Sequence, residues 1–384
     1  MTTADSGLAR GTVLPTYARA DVTIVRGEGS RVWDEAGRSY LDFGTGIAVV
    51  GLGHRHPGVT AAAHAQLDRL WHASNLYWTE PMLRLAALLS DRFGGAQAFF
   101  CNSGAEANEA ALKVARKATG RARVVALEGG FHGRTMGALS ATGQPAKWEG
   151  FGPLVPGFTF ARPNDVESLE AAVAPGGELA AIMLEPVLGE GGIVPLEVDF
   201  LAAAAEIARE VGALLVLDEV QTGLGRTGTF FAFEQLGLEP DLVTLAKGLG
   251  NGLPIGALLV RDGVADAIVP GDHGSTFGGN PVACAAACAV VEAIDEALLE
   301  NVAVRGAQLA AGLAGLPGVL EVRGRGLLLA AVLDRSAGDV VDAARDHGLL
   351  ALTAGPDVLR LLPPLPVTAG DVDEALGVLA RVLT

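Results

Sequence analysis

A lysine and an aspartate each follow a short apolar run, in an order that would bring their side chains together. The run 242–246 ends at Lys247, and the run 214–217 ends at Asp218. Such runs are typical of buried strands, and open α/β sheets bind ligands beyond the carboxyl ends of their strands. A lysine amine can form a Schiff base with an aldehyde cofactor, and a carboxylate can pair with a protonated ring nitrogen. The sequence therefore predicts both groups at one crevice.

A second set of residues fits an anion site. After the run 97–101, the small residues Ser103, Gly104 and Ala105 begin a predicted helix that reaches about residue 117. Unpaired N–H groups at a helix N-terminus bind phosphate. Ser103 and Glu106 also match a capping box, and the two interpretations are compatible because the cap geometry creates the anion site.

Charged residues elsewhere suggest carboxylate recognition more than metal binding. Arg134 and Arg360 are candidate clamps, since a guanidinium matches a carboxylate with two hydrogen bonds. Taken alone, an arginine is more often a solvated surface group, and Glu190 would be a solvated residue of a glycine-rich turn. His54 and His56 lie beside turn residues with no evident third ligand, so no metal is predicted.

The elements that must position these groups alternate between strands and helices. Six runs resemble strands, at 97–101, 122–127, 181–184, 214–217, 242–246 and 257–260. This alternation predicts an α/β fold with a mostly parallel sheet wrapped by helices. After about residue 280 the pattern changes to amphipathic helices with short strands. We predict a large cofactor-binding domain at 46–280 and a smaller α+β domain formed by 1–45 and 281–384.

Composition narrows the classes of partner and compartment. The 384 residues carry 28 basic and 44 acidic side chains, a net charge of −16, which disfavours nucleic-acid partners and anionic membranes. No apolar run approaches the roughly 20 residues of a membrane helix, and the N-terminus does not resemble a secretion signal. The odd cysteine count, Cys101, Cys284 and Cys288, suits a reducing compartment. A cytoplasmic protein is expected, with Cys284 and Cys288 packed as small hydrophobes one helical turn apart.

Six ordered motifs together resemble one family. They are Ser-Gly-Ala-Glu-Ala-Asn-Glu (103–109), Phe-His-Gly-Arg-Thr (131–135), Glu-Pro-Val-Leu-Gly-Glu-Gly-Gly (185–192), Leu-Asp-Glu-Val-Gln-Thr-Gly (217–223), Ala-Lys-Gly (246–248) and Ser-Thr-Phe-Gly-Gly-Asn-Pro (275–281). The chain resembles the fold-type I, class III pyridoxal-phosphate aminotransferases, in their acetylornithine aminotransferase branch. The resemblance runs from about residue 26 to the C-terminus.

This resemblance implies a role for each matching residue at the cofactor. Lys247 would form the Schiff base with pyridoxal phosphate and shuttle the proton, and Asp218 would pair with the pyridine nitrogen. Three further side chains would complete the site: Gln221 on the ring oxygen, Phe131 stacked on the ring, and Thr276 on the phosphate of the neighbouring subunit. Ser103, Gly104 and Ala105 would hold the phosphate. The family implies an obligate homodimer.

The resemblance also implies two substrates. Arg360 would bind the α-carboxylate of glutamate, and Glu190 would neutralise that arginine when the other substrate binds. Arg134 would take the distal carboxylate of glutamate or the α-carboxylate of the ornithine substrate, with Tyr17 as a possible helper. Ile47 falls where ornithine aminotransferases tend to carry a tyrosine, so N2-acetylornithine is favoured over free ornithine as amino donor to 2-oxoglutarate.

Several alternatives stay open. Succinylornithine, ornithine, 4-aminobutyrate or carrier-bound lysine could be the donor in the same chemistry. Leu188 replaces the glutamine common in the Glu-Pro-x-x-Gly-Glu-Gly motif and could alter the pocket wall. A non-catalytic cofactor-binding protein would require loss of Lys247, Asp218 or the glycine loops, none of which is lost. A nicotinamide dehydrogenase is disfavoured because the turn near Asn102 does not read G-x-G-x-x-G.

Overall fold

Strands and helices alternate along most of the chain. The computed structural model describes residues 12–174 and 178–384. The strands are β1 Ile24–Glu28, β2 Arg31–Asp34, β3 Ser39–Asp42, β4 Ala96–Cys101, β5 Arg123–Leu127, β6 Phe158–Ala161, β7 Leu179–Leu184, β8 Val187–Leu188, β9 Val194–Pro195, β10 Leu214–Asp218, β11 Leu242–Leu245, β12 Gly256–Arg261, β13 Val319–Arg325, β14 Leu328–Leu333, β15 Leu349–Leu350, β16 Leu352–Thr353 and β17 Val358–Leu361. The helices are α1 Pro57–Leu67, α2 Glu80–Phe93, α3 Gly104–Thr119, α4 Met136–Ala141, α5 Val166–Val173, α6 Val198–Val211, α7 Asp262–Ala265, α8 Pro281–Ala293, α9 Glu296–Ala314, α10 Ala337–Asp346 and α11 Ala369–Leu383. Short 3₁₀ turns cover Ser74–Leu76, Pro145–Lys147, Ala232–Leu236 and Lys247–Gly250.

A seven-stranded sheet forms the centre of the molecule, in the order β4-β12-β11-β10-β7-β5-β6. Only β12 runs antiparallel to its neighbours, so the predicted α/β fold with a mostly parallel sheet is confirmed. All six predicted runs are strands of this sheet. The sequence reading missed β6, a four-residue edge strand whose Phe-Thr-Phe-Ala sequence is too short to show a period.

Helices cover both faces of this sheet. Along β10, Leu215 and Leu217 join the hydrophobic cluster on one face, while Val216 joins the cluster that α3 covers on the other. This alternation explains why the strand reads as a continuous apolar run. Burial on both faces fixes the register, and with it the position of the residues that follow each strand.

The terminal segments build a second core. A sheet in the order β1-β2-β3-β15 joins the N-terminal strands to the C-terminal region, and Phe43 packs in one cluster with residues of α9, β14, β17 and α11. In contrast, Cys284 and Cys288 of α8 are buried in the core of the large sheet, as small hydrophobes. No packing break therefore marks residue 280, and the predicted boundaries at 45/46 and 280/281 stay a prediction.

A left-handed turn closes the crevice end of the large sheet. Thr45, Ile47 and Ala48 have φ values of 45°, 67° and 61°, which are strained for residues with a Cβ. The Asp42 carboxylate holds the turn by accepting hydrogen bonds from Thr45 N at 2.8 Å and from the His54 Nε2 at 2.8 Å. Thr45 Oγ1 donates to Leu362 O at 2.8 Å, so the turn is tied to the strand that carries Arg360.

His56, which the sequence places close to His54, also has a local role. The His56 side chain accepts from Val59 N at the start of α1, so the two histidines do not share a site. Within the described residues no cluster of histidine, cysteine, aspartate or glutamate could hold a metal ion.

Over the same residues, no helix is long and apolar enough to span a membrane. The first residues, used in the prediction that no secretion signal is present, lie outside the described ranges.

Candidate active site

A cavity of about 470 Å³ lies at the carboxyl ends of β10 and β11, within the usual size range of small-molecule sites. Its lining includes eight of the predicted residues: Ser103, Gly104, Ala105, Phe131, Arg134, Asp218, Gln221 and Lys247. A larger and mostly apolar cavity of about 650 Å³ lies beside α3. Its rim groups are already paired, because Lys117 contacts Asp272 and Lys113 lies 2.8 Å from His273 Nδ1. We therefore place the candidate site in the first cavity.

Lys247 begins the 3₁₀ turn directly after β11 and has a φ of 42°. That left-handed backbone is unfavourable for a lysine, and strain of this kind clusters at functional sites. Burial lowers the pKa of the Lys247 amine, an effect that the nearby Glu190 carboxylate partly opposes. A lower pKa increases the neutral, nucleophilic fraction of the amine.

Asp218 ends β10 and is buried in a network of donors. Its Oδ2 lies 2.8 Å from His132 Nδ1 and accepts from Asn108 Nδ2 at 2.7 Å, while its Oδ1 accepts from Val220 N at 3.0 Å. Thr244 Oγ1 in turn donates to Asn108 Oδ1 at 2.8 Å, which fixes the orientation of that amide. These contacts hold the carboxylate in one orientation.

His132 and Glu185 lie beside this carboxylate and are both fully buried. Burial acts to lower the pKa of His132, but the hydrogen bond and charge of Asp218 outweigh it and the pKa is raised. Burial raises the pKa of Glu185 to about 7. Glu185 accepts from Phe131 N at 2.8 Å and from Gly189 N at 3.1 Å. One carboxyl group thus joins the Phe131 segment to the loop that carries Glu190.

The start of α3 has the geometry of an anion site. Ser103 Oγ accepts from Glu106 N at 3.2 Å, while the Glu106 carboxylate accepts from Asn102 N at 2.5 Å. The predicted capping box is therefore half formed, because Glu106 reaches one residue further back than Ser103. A Cβ on Gly104 would lie 2.9 Å from Val220 Cγ1, so the loop requires glycine there. Gly104 and Ala105 line the cavity, and the first N–H groups of a helix have no helical partners.

Arg360 and Glu190 form a buried ion pair beside the cavity. Arg360 lies on β17, where only 3% of the residue is exposed, and its Nη1 donates to Glu190 Oε1 at 2.5 Å and to Gly189 O at 3.1 Å. Burial acts to raise the pKa of Glu190, but the guanidinium outweighs it and the pKa is lowered. The Arg360 Nε is buried without a partner among the described residues. A donor is thus left for a further ligand.

The remaining predicted residues are more exposed. The Arg134 guanidinium carbon lies 5.7 Å from the centre of the Phe131 ring. Tyr17 is 70% exposed, and the cation over its ring is Arg19 at 5.5 Å, so the structure does not place Tyr17 with Arg134. Thr276 is exposed and outside the cavity lining. Its expected role at the phosphate of a neighbouring subunit stays a prediction.

Sequence reasoning assigned no role to Asn108, His132 and Glu185. All three lie within the quoted motifs, and all are buried polar residues that hydrogen-bond around Asp218 or Phe131. The available signal was a set of polar residues in otherwise apolar or small-residue segments. That signal does not show which residues hydrogen-bond to one another, because the bonded residues lie in segments far apart in the chain.

Known proteins place this fold and site in one family. The family model of class-III aminotransferases matches residues 15–383. The acetylornithine aminotransferase of Mycolicibacterium smegmatis is 51% identical over 377 residues, covering 97% of this chain and 96% of that one. The acetylornithine aminotransferase of Listeria innocua serovar 6a is 48% identical, covering 97% of both chains.

Two solved aminotransferase structures have the same fold as this chain. The ornithine aminotransferase from Toxoplasma gondii ME49 has a TM-score of 0.93 at 35% identity, covering 98% of this chain and 93% of that one. The N-acetylornithine aminotransferase from Stenotrophomonas maltophilia K279a has a TM-score of 0.84 at 41% identity, covering 96% of each. The fold and the lysine site define a cofactor-dependent aminotransferase. The chain belongs to the class-III aminotransferases, and its cofactor is pyridoxal phosphate.

The residues of the cavity fit this cofactor. Gln221 Oε1 is buried without a partner among the described residues, as expected for an amide that awaits a polar ligand. The first turn of α3 offers donors to a phosphate, and the Asp218 network offers a fixed negative charge. Phe131 and Lys247 line the same cavity, where they would contact the cofactor ring and its aldehyde.

Proposed function

We propose that this protein transfers the terminal amino group of N2-acetyl-L-ornithine to 2-oxoglutarate, giving N-acetylglutamate semialdehyde and glutamate, as a step of arginine biosynthesis. The observation that carries the proposal is the pairing of Arg360 with Glu190, near an Arg134 that has no carboxylate partner among the described residues. This arrangement suits a pocket that must accept two differently charged substrates in turn. The names of the closely similar enzymes support the same reaction.

Each group at the cofactor would have a separate task. Bound pyridoxal phosphate supplies an aldehyde for the amine and an electron-withdrawing ring. Lys247 would bind that aldehyde and carry the proton during transfer, with Asp218 opposite the ring nitrogen. Phe131 would stack on the ring and Gln221 would bond its oxygen. Ser103, Gly104 and Ala105 would hold the phosphate through Oγ and backbone N–H groups.

The two arginines would divide the substrate carboxylates. Arg360 would bind the α-carboxylate of glutamate once Glu190 moves away, and would be masked by Glu190 when acetylornithine binds. Arg134 would take the distal carboxylate of glutamate or the α-carboxylate of acetylornithine. Because Glu190 neutralises Arg360, the free-energy cost of placing an uncharged part of the donor beside this buried arginine is lower.

Ile47 supports an acylated donor. It lies in the left-handed turn at the crevice and is 37% exposed. An apolar side chain offers no hydrogen bond to the charged α-amino group of free ornithine, and it tolerates an acetamide better. Leu188 is buried and packs beside Gly129, and it is not among the residues that line the cavity.

Comparing amino donors tests the proposed reaction. We expect kcat/KM for N2-acetylornithine to exceed the values for ornithine, 4-aminobutyrate and a carrier-bound lysine with a free side-chain amine by about tenfold or more, since a mismatched polar group in a closed pocket costs at least this much. Succinylornithine is the nearest competitor because it shares the acylated amine. A preference for free ornithine would reject the interpretation of Ile47 and leave the aminotransferase chemistry intact.

Removing the mask on Arg360 should change the choice of substrate. In a Glu190→Gln variant we expect KM for glutamate to fall and KM for acetylornithine to rise, shifting the ratio of their kcat/KM values by about tenfold, the scale of one hydrogen bond to a charged group. Glu197→Gln, an exposed carboxylate at the start of α6, is the matched control. An unchanged ratio in the Glu190 variant would contradict the masking role.

We also propose that two chains form the active unit. Trp71, Leu76, Tyr77 and Trp78 are 67%, 82%, 71% and 80% exposed, and an apolar patch of this kind marks an interface. Asn75 Nδ2 donates to Ser275 O at 2.7 Å, which ties the patch to the loop of Thr276. Thr276 would then reach the phosphate of the partner's cofactor. A sedimentation mass equal to the 39.2 kDa chain would exclude this assembly.

A cytoplasmic location belongs to the same proposal. Its support is chemical: Cys101, Cys284 and Cys288 are buried free thiols, which suit a reducing compartment.

A further inference from the structure

A second cation faces the same aromatic ring as Arg134. Lys147 ends the 3₁₀ turn Pro145–Lys147, and its Nζ lies 5.6 Å from the centre of the Phe131 ring. The Arg134 guanidinium carbon is 5.7 Å from that same centre. The ring that lines the cavity therefore has two positively charged groups beside it.

The backbone around Lys147 is fixed on both sides. Gln144 Nε2 donates to Gly129 O at 2.8 Å, and Trp148 Nε1 donates to Thr142 O at 2.8 Å. Trp148 also packs against Phe160, with ring centres 5.5 Å apart. These contacts hold the segment on both sides of Lys147, so its side chain can adjust to a ligand while the backbone stays in place.

The charges around Lys147 leave it without compensation. It is half-buried, and burial together with the Arg134 charge lowers its pKa, an effect that the Glu190 charge partly opposes. Neither Lys147 nor Arg134 forms an ion pair with a carboxylate anywhere in residues 12–174 and 178–384. A surface lysine needs no partner, but two mutually repelling cations beside one ring that lines the cavity favour an anionic ligand.

We propose that Lys147 is a specificity-determining residue that joins Arg134 in binding the substrate carboxylate distant from the reacting carbon. For 2-oxoglutarate and glutamate this is the distal carboxylate, and for the acetylated donor it is the α-carboxylate. The inference rests on the proposed function, because it assigns a second cation to a subsite that both substrates would share. The Arg134 guanidinium can donate two parallel hydrogen bonds to a carboxylate, and the Lys147 ammonium adds a single positive charge.

Binding of a non-reacting dicarboxylate tests this directly. Glutarate has the length and charges of 2-oxoglutarate, whereas pentanoate lacks one carboxylate, and both can be titrated into the holoenzyme while its visible absorbance is followed. We expect Lys147→Met to raise the Kd of both acids about tenfold, the scale of a hydrogen bond to a charged group, because Glu190 masks Arg360 in the free enzyme and leaves Arg134 and Lys147 to bind a single carboxylate. Lys147→Arg should restore glutarate binding. KM for 2-oxoglutarate should rise in parallel while kcat is kept.

Arg209→Met is the matched control, because it removes one positive charge at the exposed end of α6, before the amino end of β10. It should bind both acids as the wild type does. A wild-type Kd for glutarate in Lys147→Met, or weakened binding that Lys147→Arg does not restore, would overturn the proposal. Failure of the proposed function is a separate outcome, in which the wild type itself does not convert acetylornithine.

Discussion

Replacing Lys247 by alanine should lower turnover by about 10⁴-fold or more, because the same amine both binds the cofactor aldehyde and moves the proton. Lys247 is the only lysine among the described residues lining the cavity, so no neighbouring amine there can replace it. Steady-state transamination and single-turnover loss of the holoenzyme's visible absorbance measure the effect.

A Lys247→Arg variant separates charge from nucleophilicity. It keeps a cation next to Glu190 but is too basic to supply a neutral amine, so it should be as inactive as Lys247→Ala. Thermal unfolding of both variants reports whether the fold is retained. Turnover above roughly 1% of the wild type in either variant, a loss well short of that expected for an essential group, would contradict the role given to this lysine.

An Asp218→Asn variant should lower kcat/KM by about 10²–10³-fold, the usual scale for removing one member of a buried charged pair. Asparagine keeps the shape, but it removes the negative charge that His132 and Asn108 hold in place. A ring nitrogen opposite a neutral amide would lose its proton more readily and withdraw electrons less strongly. Affinity for pyridoxal phosphate should fall as well.

Asp241→Asn is the matched control for this variant. Asp241 directly precedes the neighbouring strand β11, near the amino end of β10, where its Oδ2 accepts from Leu215 N at 2.8 Å. Its replacement should affect unfolding temperature more than kcat/KM, because the residue lies away from the cavity. Similar losses of kcat/KM in both variants would show that Asp218 acts through general stability.

The elements of the large sheet could be predicted because burial on both faces leaves a strong local signal. Apolar runs such as 214–217 and small-residue strand exits such as 102–105 directly encode strands and turns, and their order along the chain specifies a parallel sheet. Lys247 and Asp218 could therefore be placed at one crevice before any distance was known. Short edge strands such as β6 and the two-residue strands near the C-terminus carry no such period.

Contacts between distant segments could not be predicted from spacing. Glu185 bonds Phe131 N, Asp42 bonds His54, and Lys147 lies over Phe131, and each pairing joins residues from different elements. The Arg360–Glu190 pair came from family resemblance, because a single sequence does not show which carboxylate faces which arginine. Long-range pairing of this kind depends on the packed fold rather than on local propensity.

The most direct test of the central claim is one half-reaction. Holoenzyme is mixed with N2-acetylornithine without a keto acid, and loss of the visible cofactor absorbance is followed in time, with ornithine and 4-aminobutyrate as comparisons. The proposed function predicts fast loss with N2-acetylornithine and much slower loss with the other two amines. Unchanged absorbance with N2-acetylornithine, together with fast loss with glutamate, would contradict the proposed donor and leave only the glutamate half of the reaction.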